Sequence, residues 1–238
     1  MQGEAKMECS MAGGLLIIAT FALGGCLSQK PWHAEEVTGH LPELNFSLIS
    51  DDGHLVTEKA YAGQIVLLYF GFTRCQVECS VSMARLVNSV ELLGDDASHV
   101  SILFITLDPE HDSPGALRHY IAQFNSDRAV GLAGESAGIE RLSKRYRVAY
   151  RPRSGSNDVA EGEITHGDAI YIFDTQGQAR LLATSVNTAE NLAEDLQRLL
   201  LDSRQGSPVA KDGYNNGFSG YEMARASDSL SLLAGYSA

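Results

Sequence analysis

With 238 residues, 44% of them apolar, the chain has enough material for one ordinary domain with a buried core. Its 30 Asp and Glu outweigh 18 Lys and Arg, leaving a net charge of −12. That balance argues against nucleic acid or an anionic lipid surface as a partner.

The first feature along the chain is an apolar stretch over residues 11–23 that ends in Leu23-Gly24-Gly25-Cys26. It is shorter than the roughly 18–20 apolar residues a spanning helix needs and fits the hydrophobic region of a secretory signal. The string resembles a bacterial lipobox, in which the cysteine is lipidated and becomes the mature N-terminus. An uncleaved anchor is the alternative, and the short apolar region favours the lipoprotein. Of 4 cysteines, Cys9 then lies in the leader and Cys26 carries lipid, so Cys75 and Cys79 are the pair left in the domain. Residues 1–26 are read as leader, 27–40 as a polar tether, 41–202 as the domain and 203–238 as a flexible tail. The tail is rich in Gly, Ser, Asn and Asp, and its one apolar stretch is 230–233.

Within the domain, apolar runs at 45–50 and 54–57 flank Asp51-Asp52-Gly53, which predicts a β-hairpin. Residues 65–70, Ile-Val-Leu-Leu-Tyr-Phe, have the unbroken apolar character of a buried strand. After Cys79, the residues Met83, Leu86, Val87, Val90 and Leu93 recur at helical spacing, with Gly94 as terminator. A second buried strand is predicted over 100–107. A helix follows that opens at Ser113-Pro114, with Leu117, Tyr120, Ile121 and Phe124 on one face. A short strand over 129–132 and a helix over 136–146 come next. Residues 148–165 read as an irregular excursion or hairpin. Strands at 169–173 and 179–183 are joined by the turn sequence Asp174-Thr175-Gln176-Gly177, and a last helix spans 188–201. This order predicts an α/β sandwich of thioredoxin-like layout, with an N-terminal β-hairpin and an inserted loop or hairpin before the strand that follows His166.

The chemistry is concentrated in Gly71-Phe72-Thr73-Arg74-Cys75-Gln76-Val77-Glu78-Cys79-Ser80. A strand aimed at a helix N-terminus is where thiols become thiolates, because unsatisfied N–H groups and the helix dipole favour negative charge. In an exported protein a CxxxC pair forms a disulfide unless a reductant or a metal intervenes. Fully extended, the four-residue spacing spans about 13 Å; one helical turn brings the cysteines within the ~4.4–6.8 Å Cα window of a disulfide, so both states are open. Two thiols with one imidazole, His166, suit copper: thiolates select Cu(I), and imidazole also suits Cu(II). Structural zinc takes four ligands. His111 is the spare candidate, and its loop position reads more simply as surface. His33, His40, His54, His99 and His119 carry no motif.

Three strings together, Gly71 to Cys79, Thr106-Leu-Asp-Pro-Glu-His-Asp-Ser-Pro114 and Thr165-His-Gly-Asp-Ala-Ile-Tyr-Ile-Phe-Asp174, resemble the Sco/SenC family over residues 41–201. These are membrane-anchored thioredoxin-fold proteins that deliver copper to, or reduce the thiols of, the binuclear copper site of cytochrome c oxidase. The resemblance implies that Cys75, Cys79 and His166 are copper ligands, and that Asp108 is the aspartate of the family's Asp-Pro-Glu-x-Asp motif. As a second role, Asp108 would orient a ligand by hydrogen bonding; the plainer reading is that it caps the following turn. The family usually places proline after each cysteine, where Gln76 and Ser80 stand, and commonly serine where Gly167 stands. Losing those prolines restores a backbone donor and loosens the loop.

The resemblance therefore implies a copper-binding assembly factor on the outer side of a bacterial cytoplasmic membrane, held there by lipid or an N-terminal anchor. Its partners would be a copper-receiving oxidase subunit and another periplasmic copper carrier. The alternative is a thiol–disulfide oxidoreductase that uses Cys75 and Cys79 to keep an oxidase subunit's or a copper carrier's cysteines reduced. A peroxide-reducing thiol enzyme is disfavoured, since it gives the pair's spacing and His166 no task.

Overall fold

The computed structural model describes residues 30–75, 77–148, 150–151 and 165–206. It distinguishes two units, Met1–Trp32 and His33–Ala238, and among the described residues every regular element lies in the second. In chain order these are β1 (Glu35–Glu36), β2 (Ser47–Ser50), β3 (Leu55–Thr57), β4 (Ile65–Gly71), α1 (Glu78–Glu91), β5 (Val100–Thr106) and α2 (Pro114–Ala122). They continue with β6 (Ala129–Ala133), α3 (Ser136–Arg145), β7 (Tyr150–Arg151), β8 (Thr165–His166), β9 (Ile170–Phe173), β10 (Ala179–Ala183) and α4 (Ala189–Arg204).

Eight strands form one sheet in the order β1-β10-β9-β4-β5-β6-β2-β3. The inner strands β4, β5 and β6 are parallel, and the flanking strands run antiparallel to their neighbours. Every residue of β4 and of β5 is buried, because central strands are covered on both faces. This explains why their sequences read as unbroken apolar runs. On one face Val66, Leu68, Phe70, Leu103 and Ile105 pack with Phe46, Leu48, Ile139, Leu142 and Tyr146. The alternate residues Ile65, Leu67, Tyr69, Ile102 and Phe104 lie on the other face by the pleat. Helices α1, α2 and α4 contribute buried Met83, Leu86, Leu117, Tyr120, Leu196 and Leu199 to the core. Burying each such side chain stabilises the fold by about 1.5–3 kcal/mol. The architecture is the thioredoxin-like α/β sandwich expected.

Local chemistry sets most boundaries where the sequence put them. The β2–β3 hairpin turns through Asp51-Asp52-Gly53, where Gly53 has φ +89, a left-handed conformation that glycine adopts without strain. Ser113 caps α2 by accepting a 3.2 Å bond from the Ala116 N–H, and Pro114 occupies the first turn. The β9–β10 turn closes through the Gly177 N–H on the Asp174 carbonyl at 2.9 Å.

Several boundaries differ. The polar segment expected as tether ends earlier: Ala34 and Val37 are buried and Glu35–Glu36 pair with β10. The cause is Asp195, buried in α4, whose carboxylate accepts the N–H groups of His33 at 3.1 Å and Ala34 at 2.9 Å. Helix α1 begins at Glu78, one residue before Cys79. It stops at Glu91 rather than at Gly94, which instead opens a 3-10 turn over Gly94–His99. Helix α4 runs on to Arg204. The excursion between α3 and β9 is closed by β7 paired antiparallel with β8, with 152–164 outside the described residues. The leader, Cys9, Cys26 and the expected tail beyond residue 206 also lie outside them. Among the described residues no helix is long and apolar enough to cross a membrane.

Candidate thiol and metal site

Strand β4 ends at Gly71, and the chain turns through Phe72 to Cys75 before α1 begins. The Cys75 N–H closes this turn on the Phe72 carbonyl at 3.1 Å. Cys79 sits in the first turn of α1, and its backbone N–H donates to the Cys75 sulfur at 3.3 Å. Cys75 Sγ thus receives one of the amide hydrogens that a helix N-terminus leaves unpaired. The two cysteines are not joined in a disulfide, Cys75 being half-buried and Cys79 fully buried.

The two sulfurs differ in electrostatics. Burial pushes the Cys79 thiol up to about 12, reinforced by its hydrogen bond with Cys75, while the Phe72 backbone group pulls it the other way. At neutral pH Cys79 is therefore a protonated thiol against a partly exposed partner. Tyr69 lies beside the pair, and burial together with the Cys79 sulfur pushes its hydroxyl above the usual phenol range. Gly71 leaves room for this arrangement: a Cβ there would stand 2.8 Å from the Phe104 ring and 3.1 Å from Cys79 Sγ.

The loop after β5 closes the site from the side. The Asp112 N–H donates to the Asp108 carbonyl at 2.9 Å, and the His111 N–H to the same carbonyl at 3.0 Å. Asp108 is buried, and its carboxylate is taken by the Arg74 guanidinium and by His111 Nδ1 at 2.7 Å. Burial alone would raise the Asp108 carboxyl, but the hydrogen bonds from Arg74 and His111 outweigh it and hold it below the usual range. Asp112, 1% exposed, accepts from the Thr73 N–H at 2.9 Å, Thr73 Oγ1 at 2.6 Å and Thr106 Oγ1 at 2.6 Å.

His166 lies on β8, opposite Tyr150. Four residues later Ile170 pairs with Tyr69, two residues from the end of β4. Register therefore places Ile170, the start of β9, toward the end of β4 that leads to the cysteines, while β8 pairs with β7 in a separate two-stranded sheet. Two residues past His166, the Asp168 carboxylate accepts the Ser185 N–H at 2.6 Å. Arg85 of α1 reaches the same 184–187 loop, donating to the carbonyls of Thr184 at 3.0 Å and Asn187 at 3.2 Å. The loop thereby joins the cysteine helix to the histidine segment.

The sequence-derived residues are thus sorted. Cys75 and Cys79 are in contact, and His166 lies on β8, four residues before β9 begins. Asp108 stands in the adjoining loop, engaged by Arg74 and His111. Arg74, Thr73, Thr106 and Asp112 escaped the sequence reading, although they lie inside the strings that flagged the site. The available signal was the second aspartate of Asp108-Pro-Glu-His-Asp112, four residues on and able to close one turn.

A family model described as SCO1/SenC matches residues 37–201. This chain belongs to the SCO1/SenC family. Among its SCO1/SenC relatives, the mitochondrial SCO2 homologue of Mus musculus is 31% identical over 199 residues, covering 77% of each chain. A SCO2-like protein of Rickettsia conorii is 30% identical over 134 residues, 56% of this chain, and the match spans 65% of that relative's length. Among solved structures, Bradyrhizobium japonicum ScoI with copper bound is similar at 30% identity and a TM-score of 0.58. That similarity covers 66% of this chain and 98% of ScoI.

Proposed function

We propose that this SCO1/SenC chain is a copper-handling assembly factor: reduced Cys75 and Cys79, with His166, take up copper as cargo and pass it to an acceptor. The observation that carries the reading is the pair of reduced thiols in contact at the N-terminus of α1, one sulfur half-buried. The donor set fits the ion, since two soft thiols favour Cu(I) and an imidazole accommodates Cu(II). The copper-bound ScoI relative supports it, as does the resemblance of all three motif strings to proteins that mature the binuclear copper site of cytochrome c oxidase. The acceptor would be that oxidase subunit, with another periplasmic copper carrier as donor. The domain would work on the outer side of a bacterial cytoplasmic membrane, attached through lipidated Cys26 or an uncleaved N-terminal anchor.

The chain's residues divide the task. Cys79, buried and protonated, gives up its proton when metal binds. Cys75, partly exposed, is the sulfur an incoming ligand can reach first. Val77, just before α1, and Val81, in its first turn, are 64% and 60% exposed and give the site an apolar rim for a protein partner.

One observation favours thiol–disulfide exchange as the alternative activity of the same pair. A half-exposed sulfur at a helix N-terminus backed by a buried thiol is the arrangement of an attacking and a resolving cysteine. The deciding experiment mixes two forms of the protein with an acceptor domain. Copper-loaded reduced protein should transfer its metal to a reduced acceptor, whereas metal-free reduced protein should leave an oxidised acceptor's disulfide intact. Reduction of that disulfide without any copper transfer would replace delivery with reduction.

A further inference from the structure

We propose that Asp112 is a positioning residue for the thiol pair: its carboxylate holds Thr73, two residues ahead of Cys75, and so fixes the Cys75 sulfur against the first turn of α1. The inference rests on the reading of Cys75 and Cys79 as the working thiols.

The ladder between β4 and β5 ends at Gly71 opposite Thr106, with one further bond from the Leu107 N–H to the Gly71 carbonyl at 2.7 Å. Beyond that rung the two chains diverge, one toward Cys75 and the other into the 108–112 turn. Asp112 bridges them. Its Oδ2 accepts both the Thr73 N–H at 2.9 Å and Thr106 Oγ1 at 2.6 Å, and its Oδ1 accepts Thr73 Oγ1 at 2.6 Å. Thr106 Oγ1 in turn accepts the Asp108 N–H at 2.9 Å, so the relay is anchored in the backbone of the turn that presents Asp112.

A carboxylate 1% exposed is costly to bury unless its oxygens are hydrogen-bonded, and removing one partner leaves an uncompensated group. The bridge is therefore stiff. Its position matters because Cys75 is only partly buried: it packs at the edge of the core, its N–H closes on Phe72, and its sulfur meets the Cys79 N–H. Cys79, by contrast, is held by the helix and the core. Releasing Thr73 loosens the loop that carries the exposed sulfur and leaves the buried one in place.

The test uses the thiol–disulfide equilibrium with glutathione, in which Cys75 and Cys79 are oxidised to one disulfide while one oxidised glutathione is reduced to two glutathione thiols. Asp112→Asn and Thr73→Val are compared with wild type and with Thr73→Ser, which keeps the hydroxyl. Three readouts are taken: the equilibrium constant, the alkylation rate of Cys75 in reduced protein, and thermal unfolding. Both disruptive variants should shift the equilibrium constant by about tenfold or more and change the Cys75 alkylation rate. Thr73→Ser should return both to within about twofold of wild type, as expected when the shared hydroxyl bond is restored. Variants with lowered melting temperature but unchanged equilibrium and alkylation would make Asp112 structural only and overturn the proposal. If Asp112→Asn does not fold, Thr73→Val decides alone. A wild type that forms no reversible disulfide and binds no copper would defeat the functional reading itself, an outcome distinct from unmoved variants on a working site.

Discussion

The two ends of the central sheet offer different kinds of surface. At the N-terminal end of β4 lies a cavity of about 350 Å³ lined by Glu43, Glu58, Lys59, Tyr61, Arg145 and Asp174, among others. At the C-terminal end stand two thiols in contact and a buried aspartate bridge. The cavity's buried acid is already satisfied: the Asp174 carboxylate accepts from the Gln176 and Gln178 N–H groups and from the Arg180 guanidinium. Chemistry here follows reactive groups at strand ends rather than volume. A half-exposed sulfur is open to a macromolecular partner that brings its own ligands, whereas small-molecule enzymes enclose their substrates.

The sharpest break in this comparison is ligand removal. Cys75→Ser or Cys79→Ser should weaken copper binding by more than about 100-fold, beyond what losing an outer partner of a metal site costs. Lys59→Ala, at the other end, should leave it unchanged. Competition titration against a chromophoric chelator reads both, and equal losses at the two ends would erase the distinction.

Next in size is Gly71→Ala. The added methyl would meet the Phe104 ring and Cys79 Sγ, an overpacking that should cost about 1–3 kcal/mol in thermal or denaturant unfolding. Gly63, at the start of β4, has open space for a Cβ but a φ of +82, so Gly63→Ala should cost through backbone strain alone and leave thiol reactivity untouched.

Much of this contrast was legible in the sequence. The unbroken apolar runs of β4 and β5 announced covered central strands, and Cys75 and Cys79 directly after β4 announced the reactive end. Capping at Ser113-Pro114 fixed α2. What could not be read were contacts between groups far apart in the chain. Asp195 draws residues 33–34 into the fold across some 160 positions, so a polar stretch looked like a tether. Asp112 reaches Thr73 across 39 positions, so a motif aspartate showed no partner until the strands were set side by side.

Alkaline pH should expose burial at both ends. Cys79 ordinarily titrates near 9.0 but in the fold is held up to about 12, and Tyr61 by the distant cavity rises from 10.0 to about 12, chiefly by burial. A raised folded value means the unfolded chain loses its proton first. The stabilising contribution is therefore complete below pH 9 and is lost as pH rises from 9 toward 12. Melting temperature should fall across that window, and Cys79→Ser should flatten its lower part while Tyr61→Phe flattens its upper part. A melting temperature constant from pH 8 to 11 would contradict this.

The smallest effect concerns the Arg74–Asp108 pair. Arg74 is about half exposed, so the pair should contribute no more than about 1 kcal/mol, and less in high salt. Arg74→Gln should shift unfolding slightly at low ionic strength and hardly at all in 1 M salt, where the screening length is about 3 Å. A large, salt-independent loss would place Arg74 in the structural frame with Asp112.

The central claim is that reduced Cys75 and Cys79, together with His166, hold copper. Anaerobic titration of the reduced protein with Cu(I), read by X-ray absorption at the copper edge, tests it most directly. One copper per chain with two sulfur neighbours and one nitrogen neighbour is expected, the nitrogen being lost in His166→Ala and all binding being lost once Cys75 and Cys79 are joined in a disulfide. An unchanged coordination shell in His166→Ala, or undiminished binding by the oxidised protein, would contradict the assignment.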